Sequence, residues 1–423
     1  MNESMPLPFM PLAERETPSE PAVERVKDFE IRRAVERLRE GLFDPVAVRL
    51  LTAHGERLRI EVESGFDSCD AGKSPSLCIV GAYGQGKSHS LFYVQDLALR
   101  AGFVTSLVNL DFREIPYHDF RRVYRELLGR AQFPDSDIPF PARWRKWAQD
   151  QLKERDSGEG ILDLIPDGMP HLFRAVLAAM ARRNVSLSEK EKELKKHAAF
   201  RPAEFPSLLV RALEGETVPV RQLRNTLKYR QVAFHGDGPL GCRGSEPFIE
   251  MVQSLSRLFR KMGYRGWVLL FDEGESIAQG NVFARGKAYR LLHRLFARPD
   301  SMAAFLYPVF AFTDDFFARV QSEDYDRAFT RRGREIRLFD RNYAAEWRNL
   351  NVYRLDDLSR REWEELSRRL ARLHARAYGW NPPEALVFRE MANRLDAMRG
   401  GETRFKLKAL VDCLDRVQQA RLL

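Results

Sequence analysis

The ten residues GAYGQGKSHS, 81 to 90, decide how the rest of the chain is read. Gly81, four residues, then Gly86, Lys87 and Ser88 have the spacing of a P-loop, in which successive backbone N–H groups curl around phosphate oxygens. Glycine is needed where such a loop takes positive φ and lets the ligand approach the backbone. The expected cradle comprises Gly81, Tyr83, Gly84, Gln85, Gly86, Lys87, Ser88 and His89. Lys87 would meet the β- and γ-phosphates of ATP, and the Ser88 hydroxyl would hold Mg²⁺ beside them. The competing reading is a flexible turn that happens to contain a lysine. Context separates the two, because a P-loop must lie between a buried strand and a helix N-terminus. SLCIVG before it is a short apolar run, and SHSLFYVQDLALRAGF after it carries Leu91, Val94, Leu97 and Leu99 at roughly helical spacing. Gly102 stops that helix, and FVTSLVNLD reads as the next strand.

The frame around this motif is a chain of 423 residues, 44% of them hydrophobic, which is enough for two or three units with cores of their own. No apolar run approaches the roughly 18 residues that cross a bilayer, so no membrane partner is expected. Residues 1–24 lack the apolar segment of a secretory signal and read as a disordered Pro/Glu-rich leader. Cys69, Cys78, Cys242 and Cys413 show no metal-ligand or redox spacing, which suits a reducing cytoplasm. Lys and Arg outnumber Asp and Glu by 69 to 60, a net charge of +9 that permits an acidic or nucleic-acid partner without requiring one.

Residues 25–130 are expected to hold N-terminal helices and the first half of an ATPase core. Two helices joined at GLFDP would either pack near the adenine or serve as plain cover. Residues 131–240 change texture, with FPDSDIPFPARWRKWAQDQ, LIPDGMP and the charged stretch SLSEKEKELKKHAAF, and are read as a mainly helical insertion.

The second half of the core, 241–350, turns on GYRGWVLLFDEGESIAQG, residues 263–280. Trp267 to Phe271 form a continuous apolar run, as expected of a central parallel strand buried on both faces. It delivers Asp272 and Glu273 at the edge where open α/β sheets bind ligands. In this Walker B reading Asp272 holds Mg²⁺ and Glu273 activates the attacking water; the alternative is an acidic strand end facing solvent. A third strand within MAAFLYPVFAFTDDFF, 302–317, ends in Thr313, which either senses the γ-phosphate or merely terminates the strand. Beyond it crowd Arg327, Arg331, Arg332, Arg334, Arg337 and Arg341. Most would form a solvated basic face, with one or two, Arg331 or Arg332 among them, available as an arginine finger for a neighbouring subunit. Residues 351–423, helical from about Tyr353, are read as a lid in which Trp363, Leu366, Leu370, Leu373 and Ala377 make one apolar stripe. Arg404, where GGETR becomes a helix, is the lid residue placed to reach phosphates.

The fold class that results is α/β: a P-loop core of parallel strands flanked by helices, a large helical insertion and a C-terminal helical lid. GAYGQGKS, VLLFDE, the Thr313 tip, the arginine cluster and GGETR together resemble an AAA+ ATPase of the initiator/origin-recognition branch. GAYGQGKSHSL, GFVTSLVNLDFREIPYHDFRRVYREL and GYRGWVLLFDEGESI resemble more closely the BREX-system ATP-binding proteins of the BrxD type, over most of residues 25–415. That resemblance implies ATP and Mg²⁺ as ligands and work beside other phage-defence proteins, including a helicase-like partner. An arginine finger for a neighbouring subunit would make the protein a homo-oligomer, and the +9 charge, the arginine cluster of 327–341 and the lid's arginine face suit weak, non-specific DNA contact. The sequence departs from the initiator pattern in two ways: no winged helix is expected after the lid, and the sensor strand ends in Thr rather than Asn. Two function classes follow, an ATPase that assembles or remodels a DNA-associated complex and a nucleotide-gated binding module without turnover. A small-molecule kinase is disfavoured by Asp272-Glu273 and the large lid.

Overall fold

The computed structural model describes residues 26–42, 44–52, 55–153, 160–182, 204–296, 305–331, 334–398 and 403–422. The expected leader and the charged stretch around SLSEKEKELKKHAAF lie outside them. The chain divides into two compact units, one formed by His54–Asp357 and the other by Met1–Ala53 together with Leu358–Leu423.

The larger unit is built on a five-stranded sheet. Its strands are β1 (Leu77–Val80), β2 (Val104–Asn109), β3 (Trp267–Asp272), β4 (Leu306–Phe312) and, after the hairpin of β5 (Ala328–Arg331) and β6 (Arg334–Arg337), β7 (Val352–Arg354). The order across the sheet is β2-β3-β4-β1-β7, and every pair within it is parallel. β1, β3 and β4 are buried along their whole length, which is why they read as unbroken apolar runs rather than alternating ones.

Successive residues of these strands serve two cores. Leu77, Ile79, Val268, Leu270, Val309 and Ala311 pack with Phe66, Leu91 and Val94 of the helices Gly55–Asp70 and Lys87–Arg100. Cys78, Val80, Leu269, Phe271 and Phe310 face the opposite core, with Phe120 and Tyr124 of Phe120–Gly129, Phe259 of Glu246–Lys261 and Tyr289 of Val282–Phe296. Phe271 and Phe310 stack at 4.3 Å between centroids, with Tyr117 edge-on to both. A further helical layer, from Phe140–Lys153 to Val220–Tyr229, continues this second core through Trp144, Phe173 and Leu223. Trp144 donates its indole N–H to the Leu177 carbonyl at 2.9 Å, so this fully buried ring leaves no orphan donor.

The strand expected within 302–317 runs only from Leu306 to Phe312, and Asp314–Gln321 is already helical. The helical reading from about Tyr353 is corrected: Val352–Arg354 is a strand paired with β1 through Cys78, Ile79 and Val80. Three residues, of which only Tyr353 turns inward, are too few to show a period of two.

The smaller unit consists of the helices Asp28–Arg39, Pro45–Leu51, Arg360–Tyr378, Glu384–Ala397 and Thr403–Leu422. Ile31, Val35 and Leu38 share its core with Leu366, Leu370, Leu373, Leu410 and Leu414. The apolar stripe of Arg360–Tyr378 is thus covered in part by the N-terminal helices. Asp44 starts Pro45–Leu51 by accepting from Val46 N, and Ser359 and Glu362 form a reciprocal capping box at the head of Arg360–Tyr378.

Candidate nucleotide site

The sheet order sets the site. β4 lies between β1, which leads into the P-loop, and β3, which ends in Asp272, so all three C-terminal ends open on one edge. Backbone bonds fasten that edge: Gly81 N donates to Phe312 O at 3.2 Å, Leu355 N to Val80 O at 2.8 Å and Leu110 N to Asp272 O at 3.0 Å.

In the loop, Gly84 and Gly86 take φ of 80° and 97°, the left-handed region that favours glycine. Gly86, with φ in the left-handed region, stands at the N-cap of the helix Lys87–Arg100 and gives it no side-chain cap, so the positive end of that helix faces the loop. The Gln85 amide oxygen accepts from Ala82 N at 2.6 Å, and its Nε2 donates to Asp357 at 2.9 Å. Tyr83 is exposed, Ser88 half-buried. Burial pushes the His89 imidazole down to about 4, so it is neutral at ordinary pH.

Lys87 is buried, and its Nζ donates to the Gly81 and Ala82 carbonyls at 3.2 and 3.1 Å. Across from it lies the acidic turn. Asp272 is buried and accepts from Glu273 N at 2.9 Å, while Glu273 sits in the left-handed region at φ 55°. A non-glycine residue held there costs about 1–3 kcal/mol and is a feature of functional sites. Gly274 is obligatory: a Cβ would come within 2.5 Å of the Phe312 ring and 2.6 Å of the Ala311 carbonyl oxygen. Burial raises the Glu273 carboxyl, and the neighbouring Asp272 charge raises it further. Glu275, the third carboxylate of DEGES, joins the site although its spacing alone assigns it no role. Its Oε1 lies 3.9 Å from Lys87 Nζ, its Oε2 is buried without a hydrogen-bond partner, and burial raises its pKa.

Thr313 is half-buried at the tip of β4, between the loop strand and the acidic strand, and its hydroxyl makes no cap bond to the helix Asp314–Gln321. Arg331 ends β5 and pairs in register with Arg334, while Arg332 lies outside the described residues. Arg404 belongs to the other unit, where its Cγ and Cδ lie 3.6 Å from the place a Cβ on Gly41 would occupy. The structure therefore gathers Lys87, Asp272, Glu273, Glu275 and Thr313 at one sheet edge of the larger unit.

No helix among the described residues is long and apolar enough to cross a membrane. No curated protein and no solved structure shows a significant match to the chain. Residues 26–137 and 244–422 match the family described as BREX system ATP-binding protein BrxC/D. The segment between the two matched stretches contains the helices from Phe140–Lys153 to Val220–Tyr229. The matched residues hold the P-loop, the acidic turn and most of the smaller unit, and they span more than half of the chain, which belongs to the BrxC/D family of BREX system ATP-binding proteins.

Proposed function

We propose that the chain hydrolyses ATP and couples its nucleotide state to assembly or remodelling of a DNA-associated complex in the BREX defence system. The observation that carries this reading is the meeting of Lys87 with the acidic turn at the end of β3, on the edge that β4 bridges: its Nζ lies 3.9 Å from Glu275, and its charge acts on Glu273 beside Asp272. Gly81, Tyr83, Gly84, Gln85, Gly86, Lys87, Ser88 and His89 supply the phosphate cradle. Ser88 and Asp272 are hard oxygen donors of the kind Mg²⁺ takes, one or two protein groups with phosphates and water completing the shell. Bound there, Mg²⁺ would neutralise charge on the β- and γ-phosphates. Among the described residues no cluster of three or more His, Cys, Asp or Glu could hold a metal alone, and this donor set does not call for one.

Glu273 orients the attacking water and takes its proton; its raised pKa makes the carboxylate a better base than an exposed glutamate. Thr313 reports on the γ-phosphate from the strand between. Arg331 or Arg332 serves a neighbouring subunit's site, and Arg404 acts from the helical lid. The basic hairpin surface, with exposed Arg327 and Arg337, contacts DNA through phosphates without reading sequence. Other BREX components, a helicase-like protein among them, are the partners this activity would serve.

Glu273→Gln tests the reading, because the amide keeps size while removing the base. Nucleotide affinity should persist and turnover fall on the order of a hundredfold or more, measured as phosphate release. Equal turnover in wild type and variant would leave ATP as a conformational switch only.

A further inference from the structure

Glu275 has a place that the hydrolytic roles do not use. The Glu273–Gly274 turn is wedged against β4 by the Gly274 contacts, and the short 3₁₀ helix Gly274–Gln279 begins there. The Glu275 side chain, 18% exposed, is thereby held with one oxygen 3.9 Å from the Lys87 ammonium and the other buried and unpartnered. Lys87 is itself folded back on its own loop, with two of its three donors on the Gly81 and Ala82 carbonyls. That leaves one donor of the ammonium's three, so a P-loop lysine that gives phosphate more than one hydrogen bond must leave such partners.

We infer that Glu275 is a positioning residue that docks Lys87 in the nucleotide-free loop and competes with the incoming phosphates for it, so that it sets how tightly nucleotide binds. The inference rests on the P-loop reading of Lys87 given above. A carboxylate this close to the lysine stabilises the empty site and repels the polyphosphate that fills it; both effects weaken binding. Neutralising it should act opposite to ordinary damage, which loosens a site.

The test is calorimetric titration of ADP, and of ATP with Mg²⁺, into the full chain. Glu275→Gln is expected to tighten both dissociation constants by about three- to tenfold, the scale of one partly screened charge contact. Glu275→Asp keeps the charge but withdraws it by one methylene, and is expected to fall between the wild type and the glutamine variant. It also serves if the glutamine variant does not fold. A folded variant of either kind, checked by its melting curve, that binds as the wild type does or more weakly overturns the role. Lys87→Ala separates this from failure of the underlying reading: if that variant still binds normally, it is the cradle that is wrong.

Discussion

The two units each contain a cluster of partly buried charges, and the clusters are in opposite states. In the smaller unit, Arg39 donates to both Asp415 oxygens at 2.9 and 2.8 Å, to the Tyr378 hydroxyl at 3.0 Å and to Glu36. Tyr378 in turn donates to Glu36 at 2.6 Å. His374, fully buried, meets Asp415 through Nε2 at 2.9 Å and accepts from the Trp380 indole through Nδ1 at 2.9 Å. Each charge there faces an opposite charge or a matching dipole. At the sheet edge, Lys87 rests on two carbonyls with a carboxylate oxygen 3.9 Å away, Glu275 has an orphaned oxygen, and the helix N-terminus has no side-chain cap. A satisfied network holds a fold together. An under-satisfied one, in a scaffold rigid enough to maintain it, is a place for a ligand.

That contrast can be broken by removing one charge from each cluster. Asp415→Ala strands Arg39 and removes the partner of His374, so it should lower unfolding free energy by about 2–3 kcal/mol, at the low end for a broken pair because Asp415 is partly exposed. Lys87→Ala in the nucleotide-free protein should cost under about 1 kcal/mol, since the carbonyls it leaves can turn to water. Denaturant melts of the two variants compare these directly, and an equal or larger loss in Lys87→Ala would erase the distinction.

A smaller effect is expected from pH. Burial lowers the His374 pKa, against a weaker upward pull from Asp415. The unfolded chain therefore binds this proton first, and the contribution of neutral His374 is complete above the ordinary imidazole value of about 6.5 and lost as pH falls below it. Protonation would also place a hydrogen on Nδ1, where the Trp380 N–H already points. Melting temperature should fall between pH 7 and 5, and less steeply in His374→Gln; parallel profiles would assign the loss to other groups.

How far these features were legible in the sequence depended on their length and burial. β1, β3 and β4 are buried on both faces and announced themselves as apolar runs. β7 has a single inward residue, Tyr353, and was hidden in a helical pattern. The β5–β6 hairpin was read only as an arginine cluster, because charge masked the alternation that Phe329 and Ile336 share across the ladder. At the site, spacing pointed to Lys87 and Asp272. Glu275 acquires meaning only when the turn at Gly274 aims it at a residue far away in sequence. The smaller unit's network could not be read at all, since Arg39 and Asp415 meet only when the first helix lies beside the last.

The central claim is that the under-satisfied edge is an ATP site held by Lys87, and titration of ATP with Mg²⁺ into wild type and Lys87→Ala tests it most directly. The wild type should show saturable binding at one site per chain, and the variant, folded by its melting curve, should show no tight binding. Indistinguishable isotherms for the two proteins would contradict it.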